Sequence, residues 1–532
     1  MKKLIRPLAL SAVLGAGGML GTNFLLADEK PIKPLPAPPL GGRVDPVAPG
    51  LPGLGRGDKV PGGNPMGESK PDKDVAPVKV GDTVVKTDFA VKPKELSAAV
   101  KKGLEFLVKS QQEDGGWNQG GGWRTGGGGR VEGAKVEDPS DIGNSCFAML
   151  ALLRAGNTAT EGEYKENVKK GLAFIIARVE KADKDSLFVT DVKNTQLQSK
   201  IGPYVDTFLV NLVLAEFRGK SGDQEKKLVA ALEKTMTKIV RHQTADGGFA
   251  GNSSWASTLS MGICNKSIAR AKERGAVVDE VVLKRALAQS TSATTGAAPV
   301  AVAGRPAKAD PAADAGFFGK LGMKLAGVDP KPTTSPDSTV MGGGGPRAGR
   351  AGDAGVGLYA QSQGAGNSQD ILNSFRRDAE EAKKVVADPK APKADKDKAE
   401  KTLQDVKKAD EANDKVQDNL AKQVKNDNFV AGFGNNGGEE FLSFMNISEA
   451  LILKGGKDWE EWDTKMLKGM EKAQDKDGSW QGHHCITGKT FCTSGALLVL
   501  LADRTPFPTE VLKAAKEKKD TAVKPDAPKP EK

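Results

Sequence analysis

Polar and apolar residues alternate along this chain in two different ways, and the alternation predicts two kinds of helix. In Lys102-Gly-Leu-Glu-Phe-Leu-Val-Lys-Ser110 the apolar positions recur every three to four residues with Lys and Glu between them. That is the single stripe of a half-buried helix. Other segments are apolar nearly all round: Asp138 to Gly156, Pro203 to Phe217, Ser254 to Cys264 and Thr490 to Leu501. A helix with no polar face is buried on every side. The alternation therefore predicts stacked pairs, each an amphipathic outer helix and an apolar, small-residue-rich inner helix.

The junction inside each pair is repeated. Leu467-Lys-Gly-Met-Glu-Lys-Ala-Gln-Asp-Lys-Asp-Gly-Ser-Trp480 runs from an amphipathic helix into an acidic glycine turn that ends on tryptophan. Lys102 to Trp117 has the same form, and Ile239-Val-Arg-His-Gln-Thr-Ala-Asp-Gly-Gly-Phe249 is a looser copy. Gln111 and Gln243 stand 132 residues apart, twice a unit of 66. Lys169 to Ile176 copies Lys101 to Val108, but its turn has lost the motif. Repeats at such a period identify an array, in which each unit buries its apolar face against the next. In each turn a glycine takes the conformation that ends the helix. The glutamine amide reaches backbone groups of the next segment, and the aromatic ring clamps helix to turn.

Lys102, Gly103, Phe106, Gln111, Gly115 and Trp117 resemble the QW repeat of squalene cyclases and protein prenyltransferase β-subunits. Lys468, Gly469, Gln474, Gly478 and Trp480 match the same pattern, with Met470 and Lys472 departing, and Gln243, Gly247 and Phe249 form the looser copy. The resemblance implies an all-α fold, a squalene-cyclase-like α/α toroid of about five helix hairpins. Inner-helix N-termini would surround one mouth of a central cavity. The motif is structural in that superfamily, so it implies a fold and not an activity.

Composition divides the rest. Residues 1–27 read as a signal peptide, a basic start followed by an apolar run, with an uncleaved anchor as the alternative. Residues 28–93 are a Pro/Gly-rich tether, 94–290 the first part of the array and 428–505 its last part. Between them, 291–427 reads as an insert, low-complexity and then highly charged, forming a solvated helical hairpin or partly disordered stretch. Ala354 to Ala360 is the remnant of an inner helix within it, and 506–532 is a disordered basic tail. A net charge of +10 raises nucleic acid as a partner, but no basic-aromatic platform accompanies it. The charge reads instead as solubility and attraction to an envelope surface.

With three His and four Cys in 532 residues, His483-His484-Cys485 and Cys492 form a conspicuous cluster. Three readings stand: a Cys485–Cys492 disulfide, a reactive thiol beside a base, or a metal site. The spacing matches no familiar zinc pattern, so no metal is assigned and zinc remains the only cofactor considered. Prenyltransferase β-subunits hold zinc through Asp-x-Cys and a later His, and none of the four cysteines has Asp two residues before it. The Asp-x-Asp-Asp acid of squalene and hopene cyclases and the thioester sequence of complement-like toroids are also absent. Asp141 and Asp206 lie at inner-helix starts, where such an acid would sit or where aspartate simply caps. Two functions follow. One is an exported, non-catalytic binding or structural module of the cell envelope, whose partner is an isoprenoid or other lipid, or an envelope protein. The other is a terpenoid-cyclase-like enzyme acting on an isoprenoid in the cavity.

Overall fold

The computed structural model describes residues 67–123, 130–131, 138–295, 356–434 and 437–522. The expected signal peptide at 1–27, the expected tether up to residue 66, the low-complexity stretch 296–355 and the end of the tail from 523 lie outside the described residues.

Among the described residues fifteen α-helices and four short strands give a mostly helical, all-α structure. The outer helices are α1 (Ala98–Ser110), α3 (Lys165–Lys181), α6 (Glu225–His242) and α8 (Glu280–Thr295), then α10 (Lys393–Gln423) and α13 (Gly456–Ala473). The inner helices are α2 (Ile142–Arg154), α5 (Val205–Phe217), α7 (Ser257–Glu273), α9 (Gly357–Ala387), α12 (Gly438–Lys454) and α14 (Lys489–Leu500). Short helices α4 (Gln196–Ile201) and α11 (Asp427–Val430) lie in the connections, and α15 (Thr509–Ala522) closes the described chain. Among the described residues no helix is long and apolar enough to cross a membrane.

The inner helices are neighbours in cyclic order: α2 packs on α5, α5 on α7, α7 on α9, α9 on α12, α12 on α14, and α14 on α2. Neighbours run parallel, because early residues meet early ones and late ones meet late ones. Phe147 stacks on Phe491 with centroids 4.0 Å apart, whereas Arg154, the last residue of α2, pairs with Glu216 near the end of α5. All inner-helix N-termini therefore lie toward one end. Burial follows the hydrophobic pattern: every residue of α2 and α5 is buried, whereas α1 buries only its stripe of Ala99, Val100, Gly103, Leu104 and Leu107.

In each of the three repeated turns the glutamine bonds a carbonyl of the next outer helix. Gln111 Nε2 donates to Gly115 O (2.8 Å) and onward to Asn167 O (2.9 Å) in the first turn of α3. Gln243 Nε2 reaches Val282 O (3.4 Å) in α8. Gln474 Nε2 donates to Gly478 O (2.9 Å) and to Ala99 O (2.8 Å) in α1, which ties the last outer helix to the first. Gly115, Gly247 and Gly478 have φ of +88°, +84° and +88°, and a Cβ there would strike the backbone carbonyl of Lys170, Arg285 or Lys102. Trp117 Nε1 donates to Leu107 O (2.7 Å) and Trp480 Nε1 to Met470 O (2.8 Å).

Each tryptophan lies against a glycine of the next outer helix, Trp480 on Gly103 and Trp117 on Gly171. A Cβ at Gly103 would come 2.8 Å from Trp480 Cζ3, but one at Gly469 would meet nothing within 4 Å. The same Lys-Gly signature thus has opposite mutational consequences. Gly469→Ala is expected to raise unfolding stability by about 1 kcal/mol through helix propensity. Gly103→Ala is expected to lower it by about 1–3 kcal/mol through overpacking. Denaturant midpoints of the two variants check this, and shifts of the same sign would refute the packing explanation.

Three boundaries differ from the sequence expectation. The charged insert is helical as expected, but α9 and α10 do not protrude: α9 occupies the inner position between α7 and α12, with α10 outside it. Its buried half mixes Leu358, Ile371 and Phe375 with Gln and Asn side chains that hydrogen-bond one another. Gln363 donates to Asn367, Gln369 to Asn373, Asn413 of α10 to Gln369, and Gln417 to Ala365 O. Six outer and six inner helices result, one pair more than the repeats suggested. Second, residues 67–93 lie against the helices, with Val75, Val78 and Val80 buried and the Val78 amide donating to Thr237 Oγ1. Third, the basic tail is ordered through residue 522. Strand β1 (Thr87–Phe89) pairs antiparallel with Pro506–Pro508, and Phe507 and Val511 are buried.

Between the inner helices lies a network of buried ions. Four cations, Arg154, Lys266, Arg270 and Arg274, meet four anions, Glu216, Glu273, Asp370 and Glu449. Lys266 Nζ lies 2.6 Å from Glu449 and 2.8 Å from Asp370. Arg270 reaches Glu273 at 2.9 Å, Asp370 at 3.3 Å and Glu216 at 3.5 Å. Burial alone would raise Glu449, but Lys266, Arg154 and Arg270 hold it down at about 2. Equal numbers of each sign let the group sit in a low-dielectric interior.

Candidate functional site

Chemistry gathers where α12 begins. Its first turn carries Glu439 and Glu440, which the helix dipole favours there, and both are fully buried. Glu440 Oε1 accepts from Tyr359 Oη (2.6 Å) and the Phe433 amide (2.9 Å), while Oε2 lies 3.3 Å from His484 Nε2. Glu439 Oε2 accepts from the Ile486 amide (3.2 Å), and its Oε1 has no hydrogen-bond partner. Burial, then the neighbouring Glu440, pushes Glu439 up to about 8.

The facing loop is held from two sides. Ile486 O accepts from the Gly438 amide (2.9 Å), and the Thr487 amide donates to Gln196 Oε1 (2.9 Å) on α4. Just before these anchors Cys485 has a positive φ of 50° and His484 is half-buried with neither ring nitrogen hydrogen-bonded. Ligating atoms of Glu439, His484 and Cys485 lie within 4.8 Å of one another. Burial, then Glu439, raises the Cys485 thiol to about 12. His483, the first of the pair, is exposed.

The expected Cys485–Cys492 bridge is not formed, and all four cysteines are free thiols. Cys492 sits buried in the first turn of α14 and its Sγ donates to Ile486 O (3.4 Å), whereas Cys485 lies beside Glu439. Short sequence separation does not orient two thiols toward each other, and here the helix start turns them to different partners.

Asp141 and Asp206 form a second carboxyl pair. Asp141 is the N-cap of α2, accepting from the Asn144 amide (2.8 Å), so capping is its structural role. Asp206, in the first turn of α5, accepts from Gln198 Nε2 (2.5 Å). Helix α4 thus sends Gln198 to this pair and Gln196 to the Thr487 loop. Burial, then Asp206, raises Asp141 to about 7, and burial raises Asp206 to about 6. Because these folded values stand above the carboxylate's ordinary 3.8, the folded state binds the protons more tightly. The pair's contribution to stability is complete below about pH 4 and declines as pH rises to about 7. Asp141→Asn keeps a capping side chain and removes the charge, while Asn144 Oδ1, unpartnered now, can turn to accept from the new amide. The variant is expected to exceed the parent by about 2–4 kcal/mol near pH 8 and to match it near pH 4. Urea unfolding at both pH values measures this; a pH-independent difference would exclude the buried charge as its cause.

Two large aromatics remain exposed at this end. Phe433, 50% exposed, stands edge-on to His484 with centroids 5.2 Å apart, and Trp255, 44% exposed, stands edge-on to Phe433 at 5.6 Å. Glu439, Glu440, Tyr359, Trp255 and Phe433 escaped the sequence reading. The one available signal was Glu439-Glu440, two adjacent carboxyls opening a mostly apolar helix.

No protein-family model, curated protein or solved structure matches this chain.

Proposed function

We propose that the chain is an exported α/α toroid of the squalene-cyclase and prenyltransferase-like repeat class, acting as a non-catalytic binding or structural module of the cell envelope. The cyclic order of the six inner helices, and the glutamine of each repeated turn bonding the next outer helix, support the fold. One observation carries the non-catalytic reading. Where an isoprenoid chain would lie between the inner helices, eight paired charges are buried. An apolar chain there would have to strip these ions of their partners. Binding then falls to the end where Trp255 and Phe433 are exposed, as exposed aromatic groups of this kind mark interaction sites.

The second reading, an isoprenoid-transforming enzyme, draws on one feature: buried carboxyls at the same end that hold protons near neutrality. Farnesol titration followed by tryptophan fluorescence, with a parallel search for cyclised products from squalene, separates the two. The module predicts a saturable fluorescence change that Trp255→Ala abolishes, and no product. Product formation would establish the enzyme, and an unchanged titration in Trp255→Ala would remove the proposed binding end.

A further inference from the structure

The Glu439–His484–Cys485 group holds more unanswered polarity than hydrogen bonding explains. Glu439 and Glu440 are consecutive, both wholly buried, and among the described residues neither pairs with a lysine or arginine. Glu439 Oε1, Glu440 Oε2 and both ring nitrogens of His484 lack hydrogen-bond partners. Buried polar atoms are seldom left so, and each needs an explanation. In the central ion network buried carboxylates are answered by Arg154, Lys266 or Arg270, whereas Asp141 and Asp206 are answered by Asn144 and Gln198.

The geometry points to a site for one Zn²⁺ ion, ligated by a Glu439 oxygen, a His484 nitrogen and the Cys485 sulfur, with Glu440 positioning the imidazole. Oxygen, nitrogen and thiolate sulfur together suit zinc better than the hard cations, which prefer oxygen alone. Tetrahedral bonds of 2.0–2.3 Å place zinc ligands about 3.3–3.8 Å apart, and the three ligating atoms already lie within 4.8 Å of one another. Contraction by about an ångström, within reach of side-chain rotation, completes the set. Glu440 is the positioning residue. Its Oε1 is occupied by Tyr359 and Phe433, and Oε2 faces His484 Nε2 at 3.3 Å, the place of a carboxylate that orients a metal-bound histidine. Three protein ligands leave a fourth position for an exogenous group, the arrangement of an open zinc site. The ligands come from α12 and from the loop before α14, both held by the bond between Gly438 and Ile486, so the site is built into the fold.

This inference stands apart from the isoprenoid reading and is tested without it. Full-length protein without a histidine tag is stripped with a chelator, dialysed against ZnCl₂ and analysed for bound metal, and Co²⁺ is substituted for spectroscopy. The expected result is about one zinc per chain and a thiolate-to-cobalt charge-transfer band. Cys485→Ser should abolish that band, whereas Cys492→Ser, the control at the neighbouring thiol, should keep it. His484→Asn and Glu439→Gln should each weaken zinc binding by about 100-fold or more, and Glu440→Gln by about 10-fold with the band retained. Circular dichroism checks that each variant is folded. Should one fail, the other two ligand variants give the same reading. Failure of the native protein to bind Zn²⁺ at micromolar concentration overturns the site, and so does stoichiometric binding that survives in a His484→Asn/Cys485→Ser double variant.

Discussion

Replacing Arg270 by Met is expected to lower the unfolding free energy by about 3–5 kcal/mol, because it strands buried anions on three other helices. Arg270 is 1% exposed and lies within 3.6 Å of Glu216, Glu273, Asp370 and Glu449, so four carboxylates lose a partner at once. Methionine fills similar space but offers no charge. Burial already pushes Glu273 upward against the pull of Arg270, and without the guanidinium it would take up a proton. The exposed pair of Lys457 and Glu461 provides the contrast: removing it should change stability by at most about 0.5 kcal/mol. Urea unfolding of both variants measures the difference. A loss below about 1 kcal/mol for Arg270→Met would mean that water replaces the lost partner and that the interior is hydrated.

Trp480→Ala should cost about 3–5 kcal/mol, the range for buried aromatics. The ring is fully buried, its Nε1 donates to Met470 O, and its amide donates to Thr493 Oγ1 (2.9 Å) on α14. Its edge lies on Gly103 of α1, so the substitution opens a cavity at the seam between the last repeat and the first. Trp117→Ala removes the equivalent ring between α1 and α3, and a similar loss is expected. The two sites belong to different junctions, so a double variant should approach additivity. A Trp480→Ala loss smaller than about 1 kcal/mol would show that the seam is not held by this ring.

What could be read from the sequence was what neighbouring residues decide among themselves. A glutamine four residues before a glycine, and a tryptophan or phenylalanine two after it, lie within one short segment, so three copies were visible without coordinates. The inner helices α2, α5 and α14 announced their burial because apolar residues fall on every side of them, with few polar ones between. The tertiary structure alone decided which polar residues are also inside. Helix α9 is written in Gln, Asn, Ser and Gly, a composition that reads as solvated until its amides are seen bonding one another and α10. Arg154, Lys266, Asp370 and Glu449 stand on four different helices, and only the closing of those helices makes them partners. The candidate site divides the same way: His484 and Cys485 were conspicuous by rarity, whereas Glu439 and Glu440 became part of it through packing across 45 intervening residues. Local bonding and hydrophobic period are properties of a segment, but the pairing of buried polar groups belongs to the contacts between segments, and the chain must fold before those exist.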